Sequence, residues 1–174
     1  MILPIVEHPD PLLRQVAAPV SKFGAQVTQL VNDMVDTLQH TGGIGLSATQ
    51  VGKTSRIFIA DLSDNGVACP ECYINPQIMA KSRSAFVQES CLSIPGVSGN
   101  VVRSTRIRVS AQDIHGVPFE RSLEGMHAVC VQHEIDHLNG VLFIDRLSKF
   151  AKLCRKLRQP GSTGVLQRLR LMRS

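Results

Sequence analysis

His133-Glu134-Ile135-Asp136-His137 forms an H-E-x-x-H run. On a helix, residues four apart share a face, so both imidazoles could reach one metal ion. Glu134 would sit beside the first histidine, close enough to handle protons on metal-bound water but badly placed to be a ligand. Two neutral nitrogens and a carboxylate base are parts of a metal-assisted hydrolase. The plainer reading is a surface helix with two chance histidines, and the apolar Val129, Val131, Ile135 and Leu138 around the motif weigh against it. A third ligand must come from elsewhere. After His137 the only acid is Asp145 and no histidine follows, so the downstream ligand usual in zinc peptidases is missing. Upstream, Cys91 in the segment QESCLSIPG is the candidate, although a lone cysteine in an apolar stretch is more often a small core residue.

The surrounding elements must carry these groups. Val27, Leu30, Val31, Met34, Val35 and Leu38 recur at helical spacing and predict a helix over Lys22–His40, started near Ser21 or Gly24 and ended by Gly42-Gly43. A loop of small residues follows over 42–52. Arg56–Asp61 reads as a strand, Ser63–Gly66 as a turn, and Tyr73–Ala80 as extended chain containing Pro76. Ser84–Glu89 is a short strand, and alternation along Val101–Ile114 predicts a half-buried one. His115-Gly116 turns the chain into Val117–Leu123. The motif helix is expected over Met126–Leu138, closed by Asn139-Gly140, with a last helix from Ser148 to about Arg158 before Pro160-Gly161. This order predicts an α+β fold: short mixed or antiparallel β-sheets packed around a central helix carrying the H-E-x-x-H motif.

The chain has 174 residues, one domain's worth, and no Trp, so Val, Ile, Leu and Ala must build the core. The N-terminal MILPIVEHPDPLLRQ lacks a basic region followed by an apolar run, and no apolar stretch is long enough to span a membrane. A cytoplasmic protein is expected, with neither membrane nor DNA as partner. The five cysteines (69, 72, 91, 130 and 154) suit reduced thiols, and Cys69-Pro70-Glu71-Cys72 has no second pair to complete a zinc site. Of 19 basic residues, eight fall in 148–174, where no acid occurs, so residues 1–147 carry about −3 and the tail +8. The expected partition is a catalytic domain over 1–147 and a basic C-terminal helix or tail over 148–174.

Three segments resemble one known family in order and spacing. Gly43-Ile44-Gly45-Leu46-Ser47-Ala48-Thr49-Gln50 resembles the G-x-G-L-A-A-x-Q of peptide deformylases. Glu89-Ser90-Cys91-Leu92-Ser93 resembles their E-G-C-L-S, and His133–Gly140 their H-E-x-D-H-L-x-G. The resemblance spans about residues 1–147. It implies removal of the formyl group from formylmethionyl nascent polypeptides, with metal-bound hydroxide as nucleophile and Glu134 as general base and acid. It makes Cys91, His133 and His137 the metal ligands. It gives the Gln50 side-chain amide and the Leu92 backbone N–H to the oxyanion, though Gln50 could instead simply tie down its glycine loop. Ile44, Val129 and Cys130 become walls of a methionine pocket, with Gly45 bonding the peptide backbone; Cys130 as plain core packing reads almost identically. The implied cofactor is one divalent ion, Fe(2+) in the cell, with Ni, Co or Zn able to substitute. The ribosome, reached through the basic tail, is a possible partner besides N-formylmethionyl peptides.

Three departures stand out. Ser47 replaces an Ala, and Ser90 replaces a Gly that could need a left-handed backbone. Ser98 stands where many members carry an Arg that holds the peptide, while Arg103 matches another family position, a partner for Glu89. A hydrolase of another formylated amine, a non-catalytic binding module and a zinc peptidase are the competing readings.

Overall fold

The computed structural model describes residues 1–63 and 68–147. The helical apolar stripe near the N-terminus becomes α1, Ala25–Thr41, with Gly24 as N-cap and Gly42 in the left-handed region (φ 68°) as C-cap. The small-residue loop is less irregular than expected. It holds a three-residue strand β1, Gly45–Ser47, and a 3-10 turn, Ala48–Val51. Next come β2, Ile57–Asp61; β3, Pro70–Cys91; β4, Ile94–Gln112; β5, Pro118–Glu124; and α2, Gly125–Leu138. The strands form one sheet in the order β1-β2-β3-β4-β5, and every pairing is antiparallel. The expected turn at Ser63–Gly66 falls mostly outside the described residues, and the expected helix from Ser148 wholly outside them.

The two strands expected at 73–80 and 84–89 are one strand of 22 residues. Lys81, Ser82 and Ser84 look like a polar break, yet they pair with Ile107, Arg106 and Ser104 of β4. Residues 79–86 are exposed, so no side is buried and no alternation marks them. The strand bends instead of stopping, with register shifts at Ile74/Gln77 and Ile78/Ala80. Asn75 makes the first of these with φ 52°. Its Oδ1 accepts from Val20 N–H at 2.8 Å, and its Nδ2 donates to Val20 O and Gln112 Oε1, each at 2.8 Å. Pro76, with no N–H to offer a ladder, follows where the pairing is interrupted.

β2 explains the layering. Ile57, Phe58, Ile59 and Ala60 are all fully buried, because one face meets α1 and the other α2. On the α1 side Ile57 and Ile59 pack with Met34, Leu38, Leu46 and Ile74. On the α2 side Phe58 stacks on Tyr73 at 4.6 Å, among Val109, Val131 and Leu138. A third cluster joins Leu13, Ile94 and Val101 to Leu142, Phe143 and Leu147 beyond α2. From Ala128 to Leu138 only His133 escapes full burial, so α2 is the central helix. Among the described residues no helix is long and apolar enough to cross a membrane.

Asn75 therefore serves both as bend and as staple. Asn75→Ala should lower unfolding free energy by about 2–4 kcal/mol, since three hydrogen bonds go and a Cβ residue must hold positive φ. Asn75→Gly, which keeps the backbone freedom, should lose less. Urea denaturation of both variants checks this; equal stability of Asn75→Ala and the parent would show that the staple carries no energy.

Candidate metal centre

One turn of α2 separates His133 from His137, and their rings meet edge to face with centroids 4.8 Å apart. The Nε2 atoms of the two rings are 3.2 Å apart, and Cys91 Sγ lies 3.1 Å from His137 Nε2. Cys91 arrives at the end of β3, where Leu92-Ser93 makes a two-residue turn into β4. Cys91, His133 and His137 are the one group among the described residues whose donor atoms cluster as a metal site would require. The sequence candidates thus converge, and Cys91 is half-buried at a cavity instead of lost in the core.

The donor set fits a divalent cation. Separations of 3.1–3.2 Å suit neighbouring vertices of a shell with bonds of about 2.0–2.3 Å. Glu89 Oε2 lies 2.8 Å from His133 Nδ1, which fixes the ring so that Nδ1–H donates and Nε2 turns to the site. Burial opposes a charged His133, yet the hydrogen bonds to Cys91 and Glu89 outweigh it and hold its pKa at about 10. Surroundings that hold a proton so firmly also favour a metal cation in its place. Burial keeps the His137 ring well below the ordinary value, in the neutral form a ligand needs.

Beside the cluster, Glu134 is 3% exposed and its Oε2 has no hydrogen-bond partner. Burial pushes this carboxyl up to about 7. An orphaned oxygen with a pKa near neutrality can take and return a proton. Gln50 is 1% exposed, and its Oε1 accepts from both the N–H and the hydroxyl of Ser47, each at 2.9 Å. Those bonds turn Nε2 toward Cys91 Sγ, 3.5 Å away. The Ser47 hydroxyl thus helps to aim the amide. The N-terminal segment straps both loops: Val6 N–H donates to Gln50 O and His8 N–H to Ser93 O, both at 2.8 Å.

A cavity of about 550 Å³ opens onto Gln50, Cys91, His133 and Glu134, and Ile44, Gly45, Leu92, Val129 and Cys130 also line it. Cys130 also belongs to the core cluster that packs on α2. Gly45 permits the close approach: a Cβ there would fall 2.6 Å from Glu134 Oε1 and 2.8 Å from Cys130 Sγ. Met126, half-exposed at the rim, was not anticipated, although its spacing of three and four from Val129 and Cys130 marks it on the same helix face. Ser90 lines the cavity in extended backbone; Asn75 and Arg83 are the described non-glycine residues with positive φ, so the replacement of Gly brings no strain. Ser98 is exposed opposite Ser90, within 3.3 Å of Gln88 Nε2 and off the cavity wall. Cys69 and Cys72 are free thiols outside the cluster.

The comparison with known proteins decides the family. The profile described as polypeptide deformylase matches residues 2–153. The chain belongs to the polypeptide deformylase family. A peptide deformylase of Alkalilimnicola ehrlichii is 48% identical over 151 residues, covering 87% of this chain and 85% of the relative. That of Pseudomonas aeruginosa is 47% identical over 149 residues, 84% and 88% of the two chains. The crystal structure of a peptide deformylase from Legionella pneumophila superposes with a TM-score of 0.81 at 38% identity, over 92% of this chain and all of the other. One from Synechococcus elongatus in complex with actinonin gives 0.82 at 38%, over 89% and 84%.

Behind the donors lies a buried ion-pair cluster that sequence reading recognised only in part. Arg103, 3% exposed, donates from Nε and Nη2 to Glu89 at 2.5 and 3.0 Å, as its family position suggested. It also donates from Nη1 to Asp136 at 2.5 Å, a pairing that nothing in the motif spacing revealed. Burial pushes Glu89 upward, but His133 and Arg103 prevail and hold it at about 2. Arg103→Met would leave Glu89 with His133 alone and Asp136 with Arg146 alone, and should destabilise the metal-free protein by about 3–5 kcal/mol in urea denaturation. A loss under 1 kcal/mol would mean that water compensates both acids.

Proposed function

We propose that this chain is a metal-dependent hydrolase that removes the formyl group from the N-terminus of formylmethionyl polypeptides. The observation that carries the reading is the convergence of Cys91, His133 and His137 beside the unpartnered Oε2 of Glu134, with Cys91, His133 and Glu134 lining one apolar-walled cavity. Cys91, His133 and His137 would hold the ion, which supplies a Lewis acid and an acidified water. Glu134 takes a proton at its free Oε2 and returns it to the departing amine nitrogen. The Gln50 amide, aimed by Ser47, and the Leu92 N–H bind the negative charge that develops on the formyl oxygen. Ile44, Val129 and Cys130 receive the methionine side chain, and Gly45 offers its backbone groups to the peptide. We take ferrous iron as the cellular ion; a sulfur and two imidazoles also accept nickel, cobalt or zinc.

Glu134→Gln should retain the metal yet lose at least about 10²-fold in kcat on a formyl-Met peptide, because only the proton carrier changes. His137→Ala should lose both metal and activity. Metal analysis after anaerobic purification, with kcat for each variant, checks the assignment; near-parental kcat in Glu134→Gln would remove Glu134 as base.

The site sits in the cytoplasm in this reading, where new chains begin, and residues 1–147 form the catalytic domain. The eight cations of 148–174 then tether the enzyme to ribosomal RNA. Attraction of that kind weakens steeply with salt. The full chain should cosediment with ribosomes at low salt and release at moderate salt, while a variant ending at Leu147 should not bind. Equal binding by both would exclude the tail as the tether.

A further inference from the structure

A line of charge-assisted hydrogen bonds runs from the surface to His133. Arg146, 41% exposed, donates from Nη2 to Asp136 Oδ1 and from Nε to Oδ2, each at 2.5 Å. Asp136 Oδ2 accepts also from Arg103 Nη1, Arg103 holds both oxygens of Glu89, and Glu89 Oε2 accepts from His133 Nδ1–H. Two carboxylates and two guanidiniums balance, and Arg146 is the member of the line most open to solvent.

We propose that Arg146 is a positioning residue for the metal centre, setting the orientation of His133 through Asp136, Arg103 and Glu89. The inference rests on the reading above that His133 is a ligand. A guanidinium is planar and rigid, so Arg103 cannot shift on Asp136 without shifting on Glu89. The plane of the Asp136 carboxylate is set by the two-point grip of Arg146, and that plane decides where Oδ2 meets Arg103. The backbone beside Arg103 cannot absorb the change. Ser104 N–H donates to Gln132 Oε1 at 3.2 Å and Gln132 Nε2 donates to Ser104 O at 2.7 Å, tying β4 to α2 at the next residue. Without Arg146, Asp136 has Arg103 as its remaining guanidinium and competes with Glu89 for it. Glu89 then grips His133 less well, and the Nε2 lone pair strays from the position that it shares with Cys91 and His137.

The test uses the full-length protein loaded with cobalt(II), in Arg146→Met, Arg146→Lys, Glu89→Gln and the Arg146→Met/Glu89→Gln double variant. The readouts are the rate of cobalt loss to excess chelator and the visible absorption of the bound cobalt. Arg146→Met should release cobalt about tenfold faster and shift the absorption bands, as partners behind a metal ligand do. Arg146→Lys, keeping the charge without the fork, should fall between parent and Arg146→Met. In the Glu89→Gln background, Arg146→Met should add less than about twofold, since the line is already cut. Unchanged release and spectrum in Arg146→Met, whatever its melting temperature, would overturn the proposal, as would an undiminished effect in the Glu89→Gln background. Should Arg146→Met fail to fold, Arg146→Lys decides by the same two readouts. A parent protein that takes up no cobalt would instead overturn the metal-centre reading itself.

Discussion

A helix buried on nearly every side has nowhere to put a charge, and α2 carries His133, Glu134, Asp136 and His137 within one and a half turns. Each such group must find a partner inside the protein or change its protonation state. Arg103 supplies the countercharge for most of this layer, reaching Asp136 directly and His133 by way of Glu89. Arg suits the place because its fork can bind two carboxylates at once and stays charged when buried. Everything at the site follows from that arrangement. With Asp136 and Glu89 neutralised, α2 can lie in the core, and His133 can face the cavity with its ring held by Glu89.

The remaining donors are brought to α2 from distant parts of the chain. Cys91 is 46 residues from His137, and Gln50 is 41 from Cys91. Neither could be placed reliably by a long free loop. Cys91 rides the last residue of a strand paired along its length and closed by a two-residue turn. Gln50 is locked in a 3-10 turn whose first hydroxyl, that of Ser47, accompanies the backbone N–H in holding its amide. The N-terminal segment bonds to both loops, which sets one against the other. Rigid supports matter because hydrogen bonds to a developing charge act only when their donors are already aimed.

What could be read in the sequence follows from how local each signal is. The H-E-x-x-H helix and α1 announce themselves through helical period, and Gly42 and Asn139-Gly140 mark their ends. Cys91 needed the family likeness, because a cysteine at a strand end looks like any small core residue. In sequence the β3 strand reads as two because Lys81 and Arg83 face solvent and give no alternation, while its continuity comes from pairing with β4. β1 was hidden among small residues whose order is imposed by β2 and α2. Met126 belongs to none of the three motif segments, although it lies on the face of Val129 and Cys130. Asp136 sat in plain view inside the motif. Its role depends on Arg103 and Arg146, contacts that sequence spacing does not encode.

Glu89 and Glu134 show what the buried layer does for chemistry. Both are almost wholly buried, and burial pushes each carboxyl upward. For Glu89, bonds from His133 and Arg103 overcome burial and hold the pKa at about 2. It therefore adds stability above its ordinary value of 4.5, a contribution lost as pH falls through about 2. Glu134 has no comparable partner, and at about 7 its sign is reversed. Its burial is harmless below 4.5 and increasingly disfavours the folded state as pH rises through about 7. A second arginine beside Glu134 would remove that penalty, but it would also pull the carboxyl down to where it could no longer hold a proton near neutrality. Arg103 and Arg146 thus bind Glu89 and Asp136 behind the Cys91, His133 and His137 cluster, while Oε2 of Glu134 is left without a partner.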